Sequence, residues 1–467
     1  MSLKNDNSKM KTRTPRLDCH VDTLLRVLLQ TDPEHFDFGD NPETKQRVLN
    51  TEANITVDKL RAGKMDGCFF AAFTADQGNT ETSNDVLARM FHLLYRLDRV
   101  PGYEGIRVVS TAEQIMAAVA ANAPLAIPCI EGGYGIEEDN YKEMIEQYRD
   151  LGVRYITLVW NNNNHLGSGT NADILPTDIT DDKPEPAIGL TDLGARVIRR
   201  MEDHGILVDV SHMDDLTLEG TLRAARKPLI ATHSNSDFIN RDRRNLDDEQ
   251  LRAIAATGGV VSLSSCNRFV DADKPKADMA KFLRHFEHIR SVIGTEHMGF
   301  GSDFDGATMI PELPDMGHLE VLRSALSATF DEKELDEVFG RSVLRLLQGA
   351  DQAPQSLARL SGTIRNSFEF AITDDLSGGA VLSLPLCTEL AAHLDRNEPG
   401  ACRTMSYFAV IDGYRFPAER QGDLLTARIP EAYAERFRKH ALFVTFDRGV
   451  NRITGVTIYG ELMPLSM

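Results

Sequence analysis

The most constraining feature of the chain is a rhythm of eight short apolar runs set between segments of helical spacing. The runs end near His20 and occupy 67–73, 127–131, 155–160, 207–212, 229–233, 259–264 and 298–303. Between them, 84–97, 141–151, 190–204, 215–226, 247–256 and 279–293 repeat apolar residues at the i, i+3, i+4 spacing of one helical face. Eight strands alternating with helices predict an α/β fold, a (β/α)8 barrel of the TIM type, completed by two further helices at 318–329 and 331–347. The helix after Leu190 carries its own boundary signals, Thr191 and Asp192 at the start and Gly205 at the stop.

The polar residues that end these runs carry the chemistry. In a strand, residues i and i+2 share a face, so His20 and Asp22 of His20-Val21-Asp22 point the same way. Glu131 closes Cys129-Ile130-Glu131, His212 closes Val208-Asp209-Val210-Ser211-His212, and His233 closes Leu229-Ile230-Ala231-Thr232-His233. A lone histidine after an apolar run is more often a packed or surface residue than a ligand. Five such groups at strand ends of one barrel form a metal-site pattern, because a barrel of this kind draws its catalytic groups from the C-terminal ends of several strands. Asp303 adds a carboxylate at one more strand end, although Asp303-Phe304-Asp305-Gly306 also reads as a turn, a reading that suits Asp305 better.

At 467 residues and 42% hydrophobic, the chain is long enough for one large barrel and a second domain. The barrel is expected over 1–350, a linker rich in Ala, Gln, Pro and Ser over 351–360, and a small α+β domain over 361–467. In that domain, 368–372, 380–384, 407–411, 442–446 and 453–459 read as strands, and 388–394 and 430–438 as helices. A net charge of −19 argues against nucleic acid and anionic membrane surfaces as partners. Six scattered cysteines without a C-x-x-C pair suggest neither a thiolate zinc site nor a disulfide framework. With residues 1–16 polar and basic and no run of about 18 apolar residues, a cytoplasmic location is the expectation. Neither Gly132-Gly133-Tyr134-Gly135 nor Gly167-Ser168-Gly169 has the context of a phosphate loop or a nucleophile elbow. The aperiodic stretch 161–186 reads as a long loop over the rim, either a surface loop or a cover for substrate.

In order, His20-x-Asp22, Glu131-Gly132-Gly133, Arg154-Tyr155-Ile156-Thr157-Leu158, Asp209-Val210-Ser211-His212, Thr232-His233-Ser234, Arg243-Arg244-Asn245 and Gly301-Ser302-Asp303-Phe304-Asp305-Gly306 resemble the membrane dipeptidase (renal dipeptidase) family of zinc peptidases, over about residues 16–347. The resemblance implies two zinc ions per chain bridged by Glu131, His20 and Asp22 on the first and His212 and His233 on the second. Imidazole and carboxylate donors suit that metal. It further implies a hydroxide between the ions as nucleophile, Asp303 as the proton shuttle to the departing amine, and Arg244 as a substrate contact, with Arg241 and Arg243 as solvated charges.

One position departs from the family: Trp160 stands where the mammalian enzymes have a substrate-binding histidine. Its indole N–H remains a single donor. His165, five residues on, is a candidate replacement if the loop folds back, and otherwise a surface histidine. The resemblance implies dipeptide substrates, L-Xaa-D-Xaa included, and leaves a homodimer as an expectation. A related amidohydrolase acting on N-acyl amino acids or lactones would use the same ligands. A scaffold or sensor working through the C-terminal domain would leave them unused.

Overall fold

The computed structural model describes residues 13–31, 52–74, 80–173 and 185–352, together with 371–374, 380–385, 407–411, 414–422, 424–430, 444–448 and 455–458. Its larger part is a parallel barrel. Strands β1 (Leu17–Val21), β2 (Gly67–Phe73), β4 (Leu125–Glu131), β5 (Tyr155–Thr157), β6 (Leu207–Asp209), β7 (Ile230–Ala231), β8 (Val260–Leu263) and β9 (Met298–Phe300) follow one another around it. These are the eight strands the sequence predicts. A ninth, β3 (Arg107–Val108), pairs with β4 off the ring, and two residues are too few to leave a periodic signal.

Every residue of β1, β2 and β4 is buried, which is why β2 and β4 read as continuous apolar runs. One buried cluster joins Phe69, Ile127, Cys129, Tyr155, Leu207, Ile230 and Val260 to Val343 and Leu347 of the last barrel helix. The larger cluster packs Phe70, Ile130, Ile156, Val208 and Val261 with helix residues such as Val197, Phe282 and Phe286.

The ring closes at its β1–β9 seam through residues just beyond the strands. Asp22 N donates to Phe304 O at 2.9 Å, Asp303 N donates to His20 O at 3.1 Å, and Ser302 N donates to the Asp18 carboxylate at 2.9 Å. A register shift in β1 between Asp18 and Val21 marks an irregularity at the same place, and such irregularities re-aim side chains beside active sites.

The helices follow their sequence signals closely. Met279–Ile293 keeps the expected bounds, and Thr191 caps Asp192–Asp203 by accepting from Gly194 N at 3.0 Å. The expected helix 331–347 is instead Glu332–Asp336 and Ser342–Asp351, separated by a wide turn at Glu337–Arg341. The break falls where Gly340 presses on the Pro15 carbonyl so closely that any side chain would strike it.

The C-terminal residues contain a seven-stranded antiparallel sheet in the order β10-β11-β14-β13-β12-β15-β16. Its strands are β10 (Ala371–Asp374), β11 (Ala380–Pro385), β12 (Tyr407–Ile411), β13 (Tyr414–Gln421), β14 (Leu424–Ile429), β15 (Val444–Arg448) and β16 (Gly455–Ile458). Strands β13 and β14 went unpredicted because Arg415, Glu419 and Arg420 interrupt the apolar pattern. They form an antiparallel hairpin paired from Ala418–Ala427 to Gln421–Leu424. The helix expected at 388–394, the one expected at 430–438 from residue 431 on, and the linker beyond Gln352 lie outside the described residues. Among the described residues no helix is long and apolar enough to cross a membrane.

Candidate metal centre

The C-terminal ends of the strands bring the predicted ligands to one buried point. His20, Asp22, Glu131, His212 and His233 are each at most 6% exposed. Glu131 stands at the centre, with Oε1 2.9 Å from His212 Nε2 and 3.5 Å from His233 Nε2, and Oε2 3.5 Å from His20 Nε2. His20 Nε2 lies 3.6 Å from Asp22 Oδ2, so the pair spaced by two residues converges as expected. The ligand atoms of His20, Glu131 and His233 fall within 4.8 Å of one another, and so do those of His20, Asp22 and Asp303.

The hydrogen bonds behind the imidazoles decide which nitrogen is free. His212 Nδ1 meets the Asn161 Oδ1 amide oxygen at 2.8 Å, an acceptor, so Nδ1 carries the proton. His233 Nδ1 lies 2.8 Å from Thr232 Oγ1, whose own proton goes to Asp209 Oδ2 at 2.7 Å. His20 Nδ1 lies 2.8 Å from the Tyr155 hydroxyl, which donates to Cys19 O at 3.1 Å. All three rings therefore aim a bare Nε2 at Glu131, the arrangement in which an outer partner fixes the tautomer of a metal ligand. His212 Nε2 and His233 Nε2 face each other at 2.8 Å, lone pair to lone pair, which only a shared proton or cation makes favourable. His20 Nε2 and Asp22 Oδ1 are buried with no hydrogen-bond partner. The donor set thus fits metal ions.

The electrostatics agree. Burial drives the His212 imidazole down to about 3, with the Arg244 charge adding to the effect, and burial takes His233 well below its ordinary range. Burial and the Glu131 charge push Asp22 up to about 6, while burial and Asp22 raise Asp303 well above the usual carboxylate range. Burial opposes ionisation of Glu131, yet its carboxyl stays below that range because of His20. Drawn well above its ordinary range by Glu131 and Asp22 against its own burial, His20 takes up in the metal-free centre the proton that a cation would displace. Positive charge placed among these groups relieves the crowding of carboxylates.

Asp303 sits on the rim within reach of Asp22, and its backbone adopts a left-handed φ of 68°, as His212 does at 69°. Such conformations in non-glycine residues concentrate at functional sites. Asp305 serves the structure: it accepts from Thr23 Oγ1 at 2.7 Å and Asn54 N at 2.8 Å, and pairs with buried Arg26 at 3.4 Å. Arg244 is 4% exposed, lies over the Phe269 ring at 5.0 Å and donates to His233 O at 3.4 Å. The half-buried Trp160 ring stands 5.8 Å from His212 with the edge of Phe73 at 5.2 Å, an aromatic wall beside the centre. His165 is not brought in. It is exposed and lines a surface cleft of about 630 Å³ with Glu138, Asp192 and Arg196, because its carbonyl is tied outward to Thr191 Oγ1 at 2.7 Å.

Sequence reasoning missed Asn161, Thr232, Asp209 and the hydroxyl role of Tyr155, none of which is a ligand type at a telling spacing. It also missed Gly306, where a Cβ would strike the Asp22 and Asp303 carboxylates.

Comparison with known proteins bears on this geometry. The sequence pattern of the membrane dipeptidase family (peptidase family M19) matches residues 5–361. An uncharacterized protein in the pqqA 5' region of Klebsiella pneumoniae is 34% identical over 227 residues, 48% of this chain and 81% of that protein. Dipeptidase 3 of Macaca fascicularis is 26% identical over 313 residues, covering 65% of this chain and 59% of its own length. Among solved structures, the metallopeptidase dipeptidase AC of family M19 superposes with a TM-score of 0.60 at 26% identity, over 72% of this chain and 98% of its own. A Rhodobacter sphaeroides metallopeptidase liganded with a phosphinate mimic of L-Ala-D-Ala gives 0.61 at 24% identity over 72% and 99%, a likeness of fold alone.

Proposed function

Because the chain belongs to the membrane dipeptidase family, peptidase family M19, we propose that it is a zinc-dependent dipeptidase that holds two ions bridged by Glu131. The observation that carries the reading is the convergence of three bare imidazole nitrogens on one buried carboxylate, flanked by Asp22 and Asp303. His20, Asp22 and Glu131 would hold one ion, and His212, His233 and Glu131 the other. Bound there, zinc would acidify water and polarise the peptide carbonyl.

The chain's own groups supply the rest. Asp303 takes the proton of the attacking water and returns it to the amine nitrogen as the C–N bond breaks, a role its place on the rim within reach of Asp22 suits. Arg244, buried beside His233, presents guanidinium donors to the dipeptide carboxylate. Trp160 and Phe73 give the substrate an apolar wall. L-Xaa-D-Xaa dipeptides come first as substrates, the type whose mimic the Rhodobacter sphaeroides structure holds. Cytoplasmic peptide salvage fits the four cysteines among the described residues, all buried and none in a disulfide, and a homodimer is expected.

Hydrolysis of an L-Xaa-D-Xaa and L-Xaa-L-Xaa panel by zinc-loaded protein tests the reading, with chelator-stripped protein and Glu131→Gln as controls. Turnover that requires zinc and Glu131 supports it. Silence from folded, loaded protein turns the reading to N-acyl amino acids or lactones, which the aromatic wall beside His212 also suits. A truncation after Gln352 that keeps full activity separates the C-terminal sheet from the chemistry.

A further inference from the structure

The three imidazoles of the centre are not held alike. His20 is held by a phenol and His212 by an amide, both neutral, whereas the partner of His233 passes its proton to the Asp209 carboxylate. Asp209 is fully buried, and its hydrogen bonds come from neutral donors: Thr157 Oγ1 at 2.6 Å, Ser211 N at 3.0 Å, Thr232 N at 3.0 Å and Thr232 Oγ1 at 2.7 Å. These donors lie at the ends of β5, β6 and β7, where the strand pairing runs out. Two of them, Ser211 and Thr232, immediately precede His212 and His233. The opposite half of the centre offers a contrast. Asp18 accepts from His20 N at 3.1 Å and Ser302 N at 2.9 Å and reaches no imidazole, and its second oxygen has no partner.

Resting on the two-ion reading above, we propose that Asp209 is the positioning residue of the His212–His233 half of the centre. Through Thr232 Oγ1 it fixes the Nδ1–H form of His233 and strengthens Nε2 as a donor; through Ser211 N it sets the backbone that carries His212. The carboxylate touches neither substrate nor metal. Its effect is to make the two metal positions separable, one supported by a buried charge and one by neutral groups.

Metal content of the full chain, measured by mass spectrometry after dialysis against a series of buffered free zinc concentrations, tests this. Wild type is expected to bind two ions. Thr232→Val and Asp209→Asn are expected to keep one at wild-type affinity and to bind the other about 10- to 100-fold more weakly. Thr232→Ser, which retains the hydroxyl, restores the second ion. Thr232→Val preserves side-chain shape, and an unchanged melting temperature of its metal-free form excludes general damage. Variants that bind both ions as wild type does, or lose both together, overturn the proposal. A wild type that binds fewer than two ions overturns the two-ion reading and the proposal with it. A wild type that binds two ions yet cleaves no dipeptide overturns the substrate reading alone, and the zinc series still decides the role of Asp209.

Discussion

At the N-terminal end of β5 the barrel buries Arg154 completely and pairs it with Asp351 at 2.8 Å, a cation and an anion that offset each other's charge. At the C-terminal ends of the strands it buries Asp22, Glu131 and Asp303 together, and burial with their mutual repulsion raises Asp22 and Asp303. Both ends carry buried charge. The first is neutral as folded and serves the fold; the second is short of positive charge and serves a ligand. Burial alone therefore does not mark a functional site. Burial of like charges around aligned donors does.

Five expected outcomes break or sharpen that contrast. The largest effect falls on Glu131→Gln, which removes the shared anion. Zinc content and dipeptide hydrolysis should both drop to background, as atomic emission and a product assay would show. Asp303→Asn should lower kcat by about 10²- to 10⁴-fold while the protein keeps its zinc, because a proton carrier is lost and no ligand is. At the other end, Asp351→Ala leaves the Arg154 guanidinium without its counter-charge. Since Asp351 is 22% exposed, the cost should fall at or below the lower end of the range for broken buried pairs, about 3 kcal/mol, read as a shifted urea midpoint with kcat unchanged.

The fourth concerns pH. In the metal-free fold Asp22 and Asp18 are both pushed up to about 6, chiefly by burial. The native state then binds these protons more tightly than the unfolded chain, whose carboxyls titrate near about 4. Their contribution to stability is fully present below about 4 and is lost as pH rises through about 6. Bound metal would replace the protons on the ligands, so the melting-temperature gap between zinc-loaded and stripped protein should widen as pH rises across that window. A gap that narrows instead would show that protons and metal do not compete for this centre. The smallest effect is none: His165→Ala should leave turnover unchanged, given where the side chain lies.

The barrel was legible because its strands are buried on both faces and end on residues of distinct chemistry. His20, Glu131, His212 and His233 announce themselves by type and place. Thr232, Asn161 and Tyr155 do not, since hydroxyls and amides are common at strand ends and acquire meaning only when a particular imidazole lies 2.8 Å away. Gly306 is invisible for the opposite reason, because its role is the room it leaves. The β13–β14 hairpin escaped notice because its charged residues break the alternation on which strand reading depends.

The seam between β1 and the segment after β9 has a temporal meaning. Asp22 and Asp303, both at the centre, also join the first strand of the barrel to the last through their backbone bonds. A ribosome releases His20 and Asp22 long before Phe304, so a growing chain holds half a clasp for most of its synthesis. Metal capture must wait for the far end of the barrel to arrive, and truncated products, lacking the closure, have no complete centre with which to hold a metal.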